Sequence, residues 1–93
     1  MKKLDGQIVI VTGGARGIGK GICKLFCDEG AIVFLWDILE DGQNTADNIS
    51  KNGGSIIFQK VDVSNQDSVN SAVENIIENH ERIDILINNA GII

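Results

Sequence analysis

The sequence predicts a doubly wound α/β fold with a parallel sheet in the order 3-2-1-4, and three observations lead there. Four apolar runs of strand length alternate with three stretches of helical character, βαβαβαβ in all. That rhythm implies parallel strands joined by right-handed crossovers. The second run, residues 31–36, is almost continuously apolar, as a strand buried on both faces of a parallel sheet must be. A glycine-rich turn, Thr12-Gly13-Gly14-Ala15-Arg16-Gly17-Ile18-Gly19, joins the first run to the first helix. In the doubly wound order the switch point lies between strands 1 and 4, which brings this turn beside Asn89-Ala90-Gly91.

Taken in order, Leu4, Asp5 and Gly6 make the turn that feeds the first strand, residues 7–12. The first helix covers residues 17–29, where Ile18, Ile22, Leu25 and Phe26 recur at helical spacing and predict its buried stripe. Gly30 closes it in the usual position past a helix end. The second strand ends at Asp37. A helix over 40–52 rests on Ala46 and Ile49, with Asn52-Gly53-Gly54 as its stop. The third strand is 55–61. Ser64 is the expected N-cap of the third helix, 65–80, with Asp67 completing a capping box. Val69, Ala72, Val73, Ile76 and Ile77 supply the stripe of that helix. The fourth strand, 82–88, runs directly into Asn89.

This topology places helices 17–29 and 40–52 on one face of the sheet and only 65–80 on the other. Apolar side chains of strands 1 and 4 are then expected in water, and Ile83, Ile85, Leu86 and Ile87 form an open edge. An apolar edge is a template for pairing with another chain, and self-association or a homo-oligomer is the expectation.

Composition narrows the function. At 93 residues, 43% apolar and 23% charged, the chain reads as one small globular domain, residues 1–93. A net charge of −5 and the lack of a basic patch argue against nucleic acid or an anionic membrane as partner. The apolar runs are too short to span a bilayer, and Met1-Lys2-Lys3 has no apolar segment after it to make a signal peptide. A cytoplasmic protein is expected. Cys23 and Cys27 with the distant His80 are too few for a metal site, and a reducing compartment disfavours a disulfide. They read as small residues at or beside the buried helix face.

The chemistry lies at the carboxyl ends of the strands. Glycines allow a tight turn with φ > 0 and close approach of the backbone to a ligand. A helix beginning near Gly17 points its unpaired N–H groups and positive dipole end back over the turn, where a phosphate is the natural guest. An ordinary strand–helix turn is the plainer alternative. Asp37, 18 residues after Gly19, can accept hydrogen bonds from ribose hydroxyls, or else is a solvated strand-end carboxylate. Asp62 can accept from an adenine exocyclic amine while Val63 covers the ring. Equally, an Asp beside a helix start can serve local capping.

Together, Thr12-Gly13-x-x-x-Gly17-x-Gly19, Asp62-Val63 and Asn88-Asn89-Ala90-Gly91 resemble the amino-terminal half of a classical short-chain dehydrogenase/reductase. The branch holding the bacterial 3-oxoacyl-(acyl-carrier-protein) reductases is the most similar in feel. The resemblance covers essentially the whole chain. It implies a Rossmann fold, a nicotinamide cofactor and hydride transfer at a carbonyl or alcohol carbon. It places Gly13, Gly14, Arg16, Gly17, Ile18 and Gly19 along the pyrophosphate, Asp37 at the ribose, and Asp62 and Val63 at adenine. Asn89, with Ala90 and Gly91, lies against the cofactor and ties neighbouring strands.

The family's catalytic residues, a Ser and a Tyr-x-x-x-Lys pair downstream of Asn-Asn-Ala-Gly, have no counterpart here; the sequence contains no tyrosine. The expectation is a cofactor-binding part, inactive alone, of an enzyme whose substrate it does not reveal. A stand-alone, non-catalytic dinucleotide-binding or interaction module is the alternative; a methyltransferase would give no reason for Asn-Asn-Ala-Gly. NAD is expected over NADP, because a 2′-phosphate against Asp37 would be repelled by on the order of a few kcal/mol. Arg16 argues the other way, but it can swing into solvent whereas Asp37 is fixed at a strand end.

Overall fold

A computed structural model describes residues 3–89 of the chain. The elements run β1 (Ile8–Thr12), α1 (Gly17–Asp28), β2 (Ile32–Asp37), α2 (Asp41–Lys51), β3 (Ser55–Lys60), α3 (Gln66–His80) and β4 (Ile85–Asn88). The sheet order is β3-β2-β1-β4, parallel throughout, with Ile10 opposite Phe34 on one side and Leu86 on the other. This is the doubly wound α/β order that the sequence predicts.

Side chains alternate across the sheet, so β1 and β2 each feed two cores. Val9, Val11, Val33 and Leu35 meet Cys23 and Cys27 of α1 and Ile49 of α2 on one face. Ile8, Ile10, Phe34 and Trp36 meet Ala72 and Ile76 of α3 on the other. Each fully buried aliphatic side chain contributes roughly 1.5–3 kcal/mol relative to exposure. β1 is buried along its whole length, which corrects the expectation that its side chains would stand in water. α3 reaches over Ile8 and Ile10, and on that face Leu86 of β4 and Ile57 of β3, on the two edge strands, remain in solvent at 59% and 44% exposure.

Three local expectations are also corrected. The buried face of α1 is Gly19, Cys23 and Cys27, while Ile18 and Leu25 are 74% and 62% exposed. A Cβ on Gly19 would collide with the Gly13 carbonyl, so the absence of a side chain there lets the helix dock, and that contact sets its rotational phase. Residues four and eight positions on must then face the sheet. Ile22 and Phe26 flank this face, half-buried against the same core. Second, Asn65 and not Ser64 caps α3, its side-chain oxygen accepting from the Ser68 amide at 3.1 Å. The Ser64 hydroxyl is already donating to Asp62 at 2.6 Å. Along α3 itself Ile77 falls outside the buried stripe and is 41% exposed. Third, β4 begins at Ile85, not at residue 82. The Asp84 carboxylate accepts from the Ile8 amide at 2.8 Å and from Arg82 at 3.0 Å, so residues 82–84 form a clasp onto β1.

Candidate functional site

The glycine turn stands at the carboxyl end of β1, between the ends of β2 and β4. Gly13 and Gly17 take left-handed φ values of 67° and 55°, which a side chain would strain. The amides of Gly13 and Gly14 donate to the Trp36 carbonyl at 2.7 and 3.3 Å, and Ala15 donates to Asp37 Oδ2 at 3.1 Å. The first half of the turn is thus fastened to β2. Further along, where α1 begins, the amides of Gly17, Ile18 and Gly19 have no protein acceptor among the described residues. Helix α1 has neither a side-chain N-cap nor an acidic residue in its first turn. Three unpaired donors at the positive end of a helix dipole form an anion-receptive surface.

Each glycine has its own job. Gly14 is a packing glycine, since a Cβ there would press on Leu35 and on Cys23 Sγ at 2.8 and 3.0 Å. At Gly19 a Cβ would also strike the Asn89 amide at 2.7 Å. Asn89 Nδ2 donates to the Gly13 carbonyl at 3.1 Å and so ties the end of β4 to the turn. Ile18 points outward beside the free amides. Ala90 and Gly91 lie outside the described residues.

Asp37 turns its carboxylate toward the turn, with Oδ2 on the Ala15 amide and Oδ1 on the Leu39 amide at 3.0 Å. Each oxygen keeps a further lone pair for a ligand hydroxyl. An open cleft of about 160 Å³ brings Gly13, Asp37, Asp62 and Val63 together, with Trp36, Ile38 and Val61 completing its walls. Val63 is 47% and Ile38 59% exposed, an apolar pair that a flat aromatic ring could cover. Asp62 uses Oδ1 for the Ser64 amide and hydroxyl, at 2.9 and 2.6 Å. These two hydrogen bonds, the hydroxyl's first, hold its carboxyl below the usual carboxylate range. This is the local chemistry that the sequence left open, and it leaves Oδ2 toward solvent.

On the other side of the turn a recess of about 330 Å³ runs between α1 and α2, with Arg16, Gly17, Asp41 and Thr45 in its walls. Arg16 does not swing free: its Nε and Nη2 both donate to Asp41 Oδ2, at 2.9 and 2.6 Å. The buried Thr45 hydroxyl donates to the Ala15 carbonyl at 2.7 Å. Sequence reasoning missed Asp41, Thr45 and Ile38. Thr45 carried a signal, being a polar residue next to Ala46 on the apolar face of α2. Ile38 is a large apolar residue directly after a strand-end carboxylate.

The cysteines are interior thiols. Burial, with a smaller contribution from Cys27, pushes the Cys23 thiol up to about 12; burial and then Asp28 push Cys27 up to about 11. No group of three or more potential metal ligands occurs among the described residues, and none of their helices is long and apolar enough to cross a membrane.

The family model for short chain dehydrogenases matches residues 7–93. A 3-oxoacyl-(acyl-carrier-protein) reductase of Chlamydia pneumoniae is 48% identical over 90 residues, 96% of this chain and 36% of that protein. Short-chain dehydrogenase reductase 3c of Arabidopsis thaliana is 45% identical over 92 residues, 98% of this chain and 35% of that protein. Among solved structures, a metagenomic short-chain oxidoreductase in complex with NADP superposes with a TM-score of 0.89 at 33% identity, over 96% of this chain and 41% of that one. The chain therefore spans little more than a third of the length of the curated relatives it matches.

Proposed function

The chain belongs to the short-chain dehydrogenase family, and from that premise we propose that it is the NAD(H)-binding part of an oxidoreductase. In this reading residues 1–93 form a dinucleotide-binding Rossmann domain. The nicotinamide cofactor supplies or accepts a hydride, and the whole enzyme exchanges it with a carbonyl or alcohol substrate. A 3-oxoacyl thioester is the substrate class suggested by the reductase relatives.

The observation that carries the reading is the convergence of three unlike features at one sheet end. The unpaired amides of Gly17, Ile18 and Gly19 fit a pyrophosphate, with Gly13 as the tight turn and Gly14 as the packing residue. The Asp37 carboxylate fits the ribose hydroxyls, and its charge disfavours a 2′-phosphate, hence NAD over NADP. The exposed pair of Ile38 and Val63 fits adenine, within reach of Asp62. Asn89, followed by Ala90 and Gly91, closes the far side of the turn. These residues bind and orient. With no tyrosine in the sequence, the family's acid–base residue is not among these 93, and we assign them cofactor binding and not turnover by themselves.

A cytoplasmic setting fits a nicotinamide-dependent enzyme with two interior thiols. The open edge of β4, with Leu86 exposed, supports self-association through that strand. The test of the reading is a calorimetric titration of the protein with NADH and with NADPH. Tighter binding of NADH supports it; tighter binding of NADPH sinks the cofactor assignment, and no binding of either sinks the function.

A further inference from the structure

The recess between the glycine turn and α2 adds a selectivity device to the ribose site. We propose that Asp41 is a specificity-determining residue: by holding Arg16 as an ion pair, it withholds the guanidinium from a 2′-phosphate and keeps the site selective for NAD(H). The inference rests on the NAD(H) reading above and adds a second carboxylate to it.

Asp37 alone leaves the selectivity exposed to Arg16. That residue sits in the turn, one position from the Ala15 amide that binds Asp37, and a guanidinium is the side chain best suited to grip a phosphate. The pairing with Asp41 removes this option. Both Arg16 contacts go to a single carboxylate oxygen, and the pair is held by its surroundings. Asp41 lies in the first turn of α2, where its charge also suits the helix dipole. The next residue, Gly42, sits so close to the Phe58 ring that a Cβ would collide with it. One helical turn on, Thr45 is bonded to the Ala15 carbonyl. The helix that carries Asp41 is thereby docked on the very turn that carries Arg16.

The charges then decide the outcome. Asp37, Asp41 and Arg16 sum to one negative charge beside the ribose, which repels a dianionic phosphate. Without Asp41 the sum is zero and a guanidinium is released. The pair is too exposed, at 67% and 51%, to matter much for folding. Its consequence is selectivity.

The test compares adenosine 5′-phosphate with adenosine 2′,5′-bisphosphate, two probes that differ only in the 2′-phosphate, by calorimetric titration of the protein. Wild type is expected to prefer the 5′-monophosphate. Asp41→Asn, which keeps the shape and removes the charge, is expected to shift the affinity ratio toward the bisphosphate by about tenfold. Adding Arg16→Gln to that variant should abolish the gain. An unchanged ratio in Asp41→Asn, or a gain that survives Arg16→Gln, overturns the assignment of Asp41 and leaves the NAD(H) reading standing. A wild type that prefers the bisphosphate, or binds neither probe, overturns the NAD(H) reading and this inference with it.

Discussion

The hydroxyl of Thr45, on the second turn of α2, donates to the carbonyl of Ala15 in the glycine turn at 2.7 Å, with both residues buried. A helix that lies outside the fingerprint thus fixes the shape of the fingerprint. Thr45→Val keeps the volume and strands a buried carbonyl, so it should destabilise the fold by about 1–2 kcal/mol. Chemical denaturation of the variant against wild type measures it, and an unchanged midpoint would show that the turn holds itself.

Gly19 and Gly21 are neighbours on α1 with opposite surroundings. A Cβ at Gly19 meets the Gly13 backbone and Asn89, whereas at Gly21 it meets nothing within 4 Å. Gly19→Ala should cost roughly 1–3 kcal/mol through overpacking and abolish nucleotide binding. Gly21→Ala should stabilise by roughly 0.5–1 kcal/mol, since alanine is the better helix former. Thermal melts of the two variants are expected to move in opposite directions.

The thiols report on the core. Cys23 and Cys27 are buried, and with their ionisation pushed up to about 12 and about 11, little thiolate exists at pH 8. Since the thiolate is the reactive form, both should resist iodoacetamide in the folded protein and react on addition of denaturant. Intact mass before and after exposure reads this directly. Rapid modification of the folded chain would place α1 in a different phase.

Acid should weaken the fold through Asp84. The Ile8 amide, first, and Arg82, second, hold its carboxyl below the ordinary range. The folded form therefore gives up that proton more readily than the unfolded chain, whose carboxyls titrate at about 3.9. The contribution is fully present above that pH and is lost as pH falls through the depressed folded value. Asp84→Asn should lower the melting temperature at neutral pH and flatten its decline below about pH 4. Melts recorded from neutral pH into acid check this; parallel curves would remove Asp84 from the account.

Much of the fold was legible because strands in a parallel sheet leave apolar runs and helices leave a period. Residues 31–36 and the run from Val69 to Ile76 needed no tertiary information to be placed. The phase of α1 was not legible. Ile18 and Leu25 fit a helical stripe as well as Cys23 and Cys27 do, and the choice is made by Gly19 touching Gly13 across the turn. The start of β4 was hidden for a similar reason, because Arg82 and Asp84 act through Gly6 and Ile8 at the far end of the chain. At the candidate site the glycines and strand-end carboxylates stood out by type and spacing. Asp41 and Thr45 did not, since an acidic residue in a first helical turn and a threonine on a helix are ordinary until Arg16 and Ala15 are seen beside them.

In the proposed function the carboxyl ends of β1, β2 and β3, with the amino end of α1, bind the adenosine diphosphate half of a dinucleotide. Backbone amide shifts recorded by NMR during titration with ADP test it residue by residue. Saturable shifts are expected at Gly13 and Gly17 to Gly19, at Asp37 and Ile38, and at Asp62 and Val63. Shifts concentrated instead at Lys24, Asn48 and Asn52, in the groove of about 200 Å³ between α1 and α2, or no saturable shifts at all, would contradict it.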